Sequence, residues 1–124
     1  MLDHIDFGVT DLSASSRFFA AALAPLGVVL LTEGSHGTGF GTNGQPCLFL
    51  APTGATPSPM HLAFSARDRA EVEAFYRAAL LVGGKDNGPP GLRPHYHPNY
   101  YAAFVIGPDG HNIEAVCHKA YAEA

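Results

Sequence analysis

Three residues of this 124-residue chain, His4, His61 and Glu114, have the types and the placement for metal-assisted chemistry. Two imidazoles and one carboxylate gathered on one face hold Fe(II), Mn(II) and related divalent ions while leaving coordination positions open for a substrate. A single histidine in a strand ordinarily ends as a hydrogen-bonded core or edge residue. Two at equivalent positions of an internal repeat, with a glutamate expected on their face, are harder to explain in that way. A buried glutamate is also costly unless it is paired or metal-bound.

The repeat lies at an offset of 57, His61 standing over His4. His4-Ile5-Asp6-Phe7 matches His61-Leu62-Ala63-Phe64, Asp11 matches Asp68, Phe18 and Phe19 match Phe75 and Tyr76, and Ala21-Ala22-Leu23 matches Ala78-Ala79-Leu80. Each half opens with an alternating strand, 4–9 or 60–65, in which Ile5, Phe7 and Val9 correspond to Leu62 and Phe64. Successive strand side chains point to opposite faces, so His4 and His61 face away from those apolar residues. In a last strand at 112–118, Ile113, Ala115 and Cys117 form the apolar set, which turns Glu114 to the histidines' face with Val116 and His118.

These strands need helices to cover their apolar side. The spacing predicts one over 11–26 and one over 67–82, with Asp11 and Asp68 at the caps. Three short strands follow the first helix, near 28–32, 38–42 and 46–51, separated by glycine-rich turns. Each half is therefore β-α-β-β-β, joined by a stiff proline-rich linker at 53–59 and followed by a short tail at 119–124. The expected fold is a single α+β domain, in which a first module over 1–52 and a second over 60–118 form a curved mixed sheet around a cleft, with helices outside. Between Gly83 and Asn99 the second half carries a long glycine- and proline-rich excursion, a kind of loop that often serves function. A hairpin with Pro108-Asp109-Gly110 at its turn ends the chain.

If Asp109-Gly110 makes a two-residue loop, Val105 pairs with Glu114, and parity places Ala103 and Tyr101 on the cleft face. Tyr101 is then the expected wall residue. His95 and His97 lie close in sequence to that strand. Imidazole titrates near neutrality, so His97 or His95 is a candidate acid or base, although a mere loop-capping role for the pair is the more ordinary reading. Asp6 either orients His4 or meets solvent. Arg17, Arg67, Arg69 and Arg77 fall on helices, leaving Lys85 and Arg93 as cations near the cleft mouth.

Composition narrows the classes of function. Apolar residues make up 47% and charged residues 15%, a balance that builds a buried core. A net charge of −4 gives no field to attract nucleic acid or anionic membranes. The apolar stretches are too short or too broken to span a bilayer. The start carries no secretory signal, so a cytoplasmic protein is expected. Cys47 and Cys117 lack CxxC spacing and read as small buried hydrophobes.

The paired βαβββ pattern, with a histidine opening each half and Asp109-Gly110-His111-Asn112-Ile113-Glu114 before the last strand, resembles the glyoxalase, bleomycin-resistance and extradiol-dioxygenase superfamily, also called vicinal oxygen chelate. The resemblance covers nearly the whole chain. It implies metal ligands at His4, His61 and Glu114, and a divalent ion, Zn, Fe, Mn or Ni, that chelates adjacent oxygens of a small organic substrate. Glu114, His97 and Tyr101 would serve the chemistry. Aligning the turn before each last strand sets Leu48 where four-ligand glyoxalases carry another donor, so the site resembles the three-ligand members. The implied activity is that of a lyase, isomerase or dioxygenase. The alternative the resemblance implies is a metal-free protein that binds aromatic or drug-like ligands. A C2 homodimer is the expected assembly.

Overall fold

A computed structural model describes residues 2–120. The first module runs β1 (Ile5–Gly8), α1 (Leu12–Leu23), β2 (Val29–Gly34), β3 (Gly37–Thr42) and β4 (Gln45–Ala51); the second runs β5 (His61–Ser65), α2 (Arg69–Leu81), β6 (Lys85–Asp86), β7 (Gly91–Leu92), β8 (Tyr101–Ile106) and β9 (Asn112–Cys117). The architecture is α+β, with a four-stranded sheet ordered β1-β4-β3-β2 and a five-stranded sheet ordered β5-β9-β8-β6, with β7 also on β8. Among the described residues, no helix is long and apolar enough to cross a membrane.

Both helices begin where the aspartates predict. The Asp11 carboxylate accepts the amide of Ala14 at 3.0 Å, and that of Asp68 accepts the amide of Glu71 at 2.8 Å. In α2 the Glu71 side chain reaches back to the amide of Arg67, just before the cap, at 2.8 Å, so the first turn and the residue leading into it are tied together. Helix α1 stops at Leu23 and continues as a short 3-10 turn through Pro25 to Leu26, ended by Gly27 at φ 79°. The buried stripe of α1, Phe18, Phe19, Ala22 and Leu23, meets Val72, Phe75 and Ala79 of α2 in one core shared by the modules. Leu48, Leu50, Val105, Ile113, Ala115 and Cys117 close that core from the sheets.

In each module the opening strand lies parallel to the closing one. Ile5 and Asp6 stand opposite Leu48 and Phe49, while Leu62 and Ala63 stand opposite Ile113 and Glu114. The repeat pairs Ile5 with Leu62 and Asp6 with Ala63, so the counterpart of Glu114 is Phe49. Leu48 instead matches Ile113 in the core. Counting back from the turn fails because β4 carries a bulge: Phe40 pairs with Leu48 and Gly41 with Pro46, leaving Cys47 as an extra residue.

The second hairpin departs from expectation for a related reason. Its connection is a five-residue loop, 107–111, built on a 3-10 turn at Pro108–Gly110, with Asp109 at φ 64° and Gly110 at φ 80°. Ile106 therefore pairs with Asn112, Val105 with Ile113 and Phe104 with Glu114. A one-residue change of register moves every side chain to the other face. The carboxylate of Asp109 accepts from both the amide and the hydroxyl of Thr10, tying this turn to the first module.

Candidate functional site

On the face of the second sheet turned away from the helices, β9 presents Glu114 and the neighbouring β8 presents Phe104 in register. Glu114 is 1% exposed, yet both its carboxylate oxygens are engaged. His61 Nε2 donates to Oε1 at 2.6 Å, and the hydroxyl of Tyr100 donates to Oε2. The strand parity of β5 sends His61 to this face, and the parallel register with β9 brings the imidazole onto the carboxylate. The His61 side chain itself is half exposed, so the pair is buried on the acid's side and open on the histidine's.

Tyr100 was not foreseen in this role. Burial, the hydrogen bond to Glu114, the charge of Glu114 and the nearby Tyr96 push its phenol up to about 12, so at neutral pH it is a hydrogen-bond donor and not a base. Tyr101, expected on the cleft wall, points the other way. It stands opposite Cys117, and its hydroxyl donates to Glu73 of α2 at 2.7 Å, with the guanidinium of Arg69 4.8 Å from its ring centre. Burial and Glu73 raise its pKa as well. The register of the 107–111 loop is the physical cause of the exchange, and reading that loop as five residues would have selected Tyr100.

His97 sits in the excursion, where its Nδ1 accepts the amide of Asn99 at 3.1 Å, the loop-capping role. Its ring lies 5.7 Å from that of His118, which is 5.1 Å from that of Tyr100. His97 thus borders the site through two aromatic contacts and does not touch Glu114. Asp6 is exposed. Lys85 lies in a groove with Arg17, Phe18 and the 107–110 turn, away from Glu114. Burial raises the pKa of the Cys47 thiol, which disfavours a reactive thiolate.

His61 borders two cavities. One, of about 290 Å³, is lined by His4, Ile5, Cys47, His61 and Leu62, so the two repeat-related histidines share it. The other, of about 370 Å³, is lined by His61, Asn87, Arg93, Tyr96, Phe104 and Asn112, with the excursion forming its wall. The Oδ1 of Asn112 is buried without a hydrogen-bond partner. His4 does not join His61 and Glu114: its Nδ1 is 2.7 Å from Asp3 and its ring stands edge-on to Phe49 at 5.5 Å. Among the described residues, no three His, Cys, Asp or Glu side chains converge closely enough to hold a metal ion. The donor chemistry of His61 and Glu114 suits a divalent ion; the expected third donor is close enough to share a cavity but not to complete a shell.

Comparison with known proteins agrees with this architecture. The family model for the Glyoxalase/Bleomycin resistance protein/Dioxygenase superfamily matches residues 1–115. A glyoxalase/bleomycin resistance protein from Albidiferax ferrireducens is 27% identical and superposes with a TM-score of 0.76 over 94% of this chain and 97% of that one. A glyoxalase-related enzyme from Fulvimarina pelagi, 23% identical, gives 0.72 over 94% and 87% of the two chains. A glyoxalase I variant from Zea mays, 20% identical, gives 0.69 over 93% of this chain and 46% of its own. The last two show the fold alone. A search of curated proteins returned no match.

Proposed function

Because this chain belongs to the Glyoxalase/Bleomycin resistance protein/Dioxygenase superfamily, we propose that it is an enzyme acting on a small organic molecule above Glu114, His61 and Tyr100. His61 and Glu114 would be its metal donors, and His4, which shares a cavity with His61 but stands apart from the pair, would have to swing in as the third. The observation that carries this reading is the Glu114 carboxylate, 1% exposed and bonded to an imidazole that opens onto two cavities. A divalent ion bound there would act as a Lewis acid toward adjacent oxygens of the substrate.

The protein's own groups supply the rest. Glu114 is placed to accept or return a proton, the step common to lyase and isomerase chemistry. Tyr100, protonated at working pH, fixes Oε2 and leaves Oε1 to exchange partners. His61 orients that second oxygen, and Phe104 supplies a dry wall beside it, its ring centre 6.0 Å from that of His61.

Protein purified without chelators is expected to carry about one divalent ion per chain, measured by elemental analysis and by titration calorimetry with Mn, Ni, Zn and Fe(II). His61→Ala and Glu114→Gln should abolish binding, and His4→Ala should weaken it about tenfold or more, the scale on which supporting ligands act. A wild type that binds none of these ions overturns the metal assignment. That result would leave a second reading, a metal-free protein binding aromatic ligands. Two observations favour it: both oxygens of Glu114 already have protein partners, and Phe49 stands at the equivalent position in the first module.

A further inference from the structure

We propose that Arg93 is the anion-recognising residue of this site and that its ligands are small monocarboxylates with a planar, conjugated or aromatic body. The proposal rests on the reading of the His61 cavity as the working site and adds the class of molecule it selects.

Cations are scarce in this chain, seven in all, and most are accounted for elsewhere. Arg17 donates to Ser13, Arg67 bonds Glu71, Arg69 lies against Tyr101 on the helix side, and Lys85 lines a different groove. Arg93 alone of these lines the cavity that contains His61, Tyr96, Phe104 and Asn112. Among the described residues no carboxylate forms an ion pair with it; its recorded hydrogen bonds go to the carbonyls of Pro89 at 2.7 Å and Leu92 at 3.5 Å. A guanidinium carries five donors in a planar fork that matches a carboxylate, so it retains capacity for an anion.

The excursion holds this group in position. The backbone amide of Arg93 bonds the carbonyl of Tyr100 at 2.7 Å, and the guanidinium stands 5.4 Å from the ring centre of Phe104. Gly88 makes that approach possible. At φ 145° it carries no side chain, and a Cβ there would come within 2.9 Å of the Phe104 ring and 3.2 Å of Arg93 Nη2. Its carbonyl also bonds the amide of Phe104 at 2.8 Å.

The ring of Phe104 therefore has both the Arg93 guanidinium and the His61 imidazole close to it, 5.4 and 6.0 Å from its centre. A planar molecule laid against this ring in the cavity that all three line comes within reach of the fork and of His61, the partner of Glu114. Tyr96 and His95 add aromatic surface to the same cavity on the excursion side, their rings 4.1 Å apart and tilted by 46°. A single guanidinium in a chain of net charge −4 favours one negative charge over a dianion such as a phosphate monoester.

Titration calorimetry with benzoate and its neutral isostere benzamide tests this on the intact chain. Wild type is expected to bind benzoate at least tenfold more tightly. Arg93→Gln should bring the two ligands within about twofold of each other, and Arg93→Lys should keep part of the preference. Thermal midpoint and ion content of the Arg93 variants should match wild type, which separates lost recognition from lost structure. Equal binding of benzoate and benzamide by wild type, or a preference that survives Arg93→Gln, overturns the proposal. A preference that depends on Arg93 in a protein that binds no metal would sink the metal assignment alone.

Discussion

The first module places His4 beside the ring of Phe49, and the second places His61 on the carboxylate of Glu114. The two pairs occupy equivalent positions, because Phe49 lies opposite Asp6 as Glu114 lies opposite Ala63. One strand geometry thus delivers an imidazole twice, and the residue on the neighbouring parallel strand decides what that imidazole can do. Beside a phenyl edge, His4 turns its Nδ1 to Asp3 at the exposed surface. Beside a buried carboxylate, His61 becomes half of a polar pair on a face that also carries Ala102, Phe104 and Val116. The fold repeats; the chemistry is concentrated in one half.

The sharpest test of this equivalence is a pair of adjacent substitutions in β4. Leu48 is 1% exposed in the shared core, so Leu48→Glu buries a carboxylate without a partner and should cost about 4 kcal/mol or more, enough to leave little folded protein. Phe49→Glu puts the same group beside His4 on the opposite face of the strand and should fold. It recreates in the first module the pair found in the second, and metal affinity by calorimetry should rise about tenfold or more. Equal destabilisation by both substitutions would break the register on which the comparison rests.

A smaller effect separates the two tyrosines that begin β8. Tyr100→Phe removes the donor to Glu114 Oε2 and should weaken ion binding about tenfold, as losses around a ligand commonly do. Tyr101→Phe removes only the bond to Glu73 and should lower stability by about 1 kcal/mol while leaving ion binding unchanged. If Tyr101→Phe were the variant that impaired binding, the polar half of the molecule would have been assigned to the wrong face.

Much of this organisation was legible before any coordinates. Apolar alternation in β1 and β5, aspartates at the helix starts and phenylalanines at helical spacing are local signals, and local rules place those elements within a few residues. The meeting of His61 with Glu114 followed from parity along single strands. What escaped was register between strands. A bulge at Cys47 and a five-residue turn at 107–111 each shift the count by one, and with period two that suffices to exchange Leu48 for Phe49 and Tyr101 for Tyr100. The pairing of the two-residue strands at 85–86 and 91–92 with β8 was illegible for another reason: glycine and proline dominate there, and the ordering comes from bonds such as Asn87 to the carbonyl of Phe104.

The entries to the two closing strands extend the contrast to pH. Carrying the parallel register back sets Pro46 of the first module against His111 of the second. His111 is 1% exposed, packs its ring 5.2 Å from that of Phe7, accepts the Met60 amide on Nδ1 at 3.0 Å and meets the Thr56 hydroxyl through Nε2 at 2.9 Å. It thereby anchors the linker between modules with a neutral ring, since protonation would place a hydrogen where Met60 donates. Burial lowers its pKa from the ordinary 6.5, and the negative charge of Asp109 opposes that shift only in part. The unfolded chain therefore takes up this proton more readily than the folded one, so this contribution to stability is complete above about pH 6.5 and declines as the pH falls below it. His111→Gln should cost about 1 to 2 kcal/mol at pH 8 through lost buried hydrogen bonds, and should lose stability less steeply than wild type between pH 6.5 and 5.5 in urea denaturation. Parallel acid slopes in the two proteins would show that the linker anchor does not sense pH.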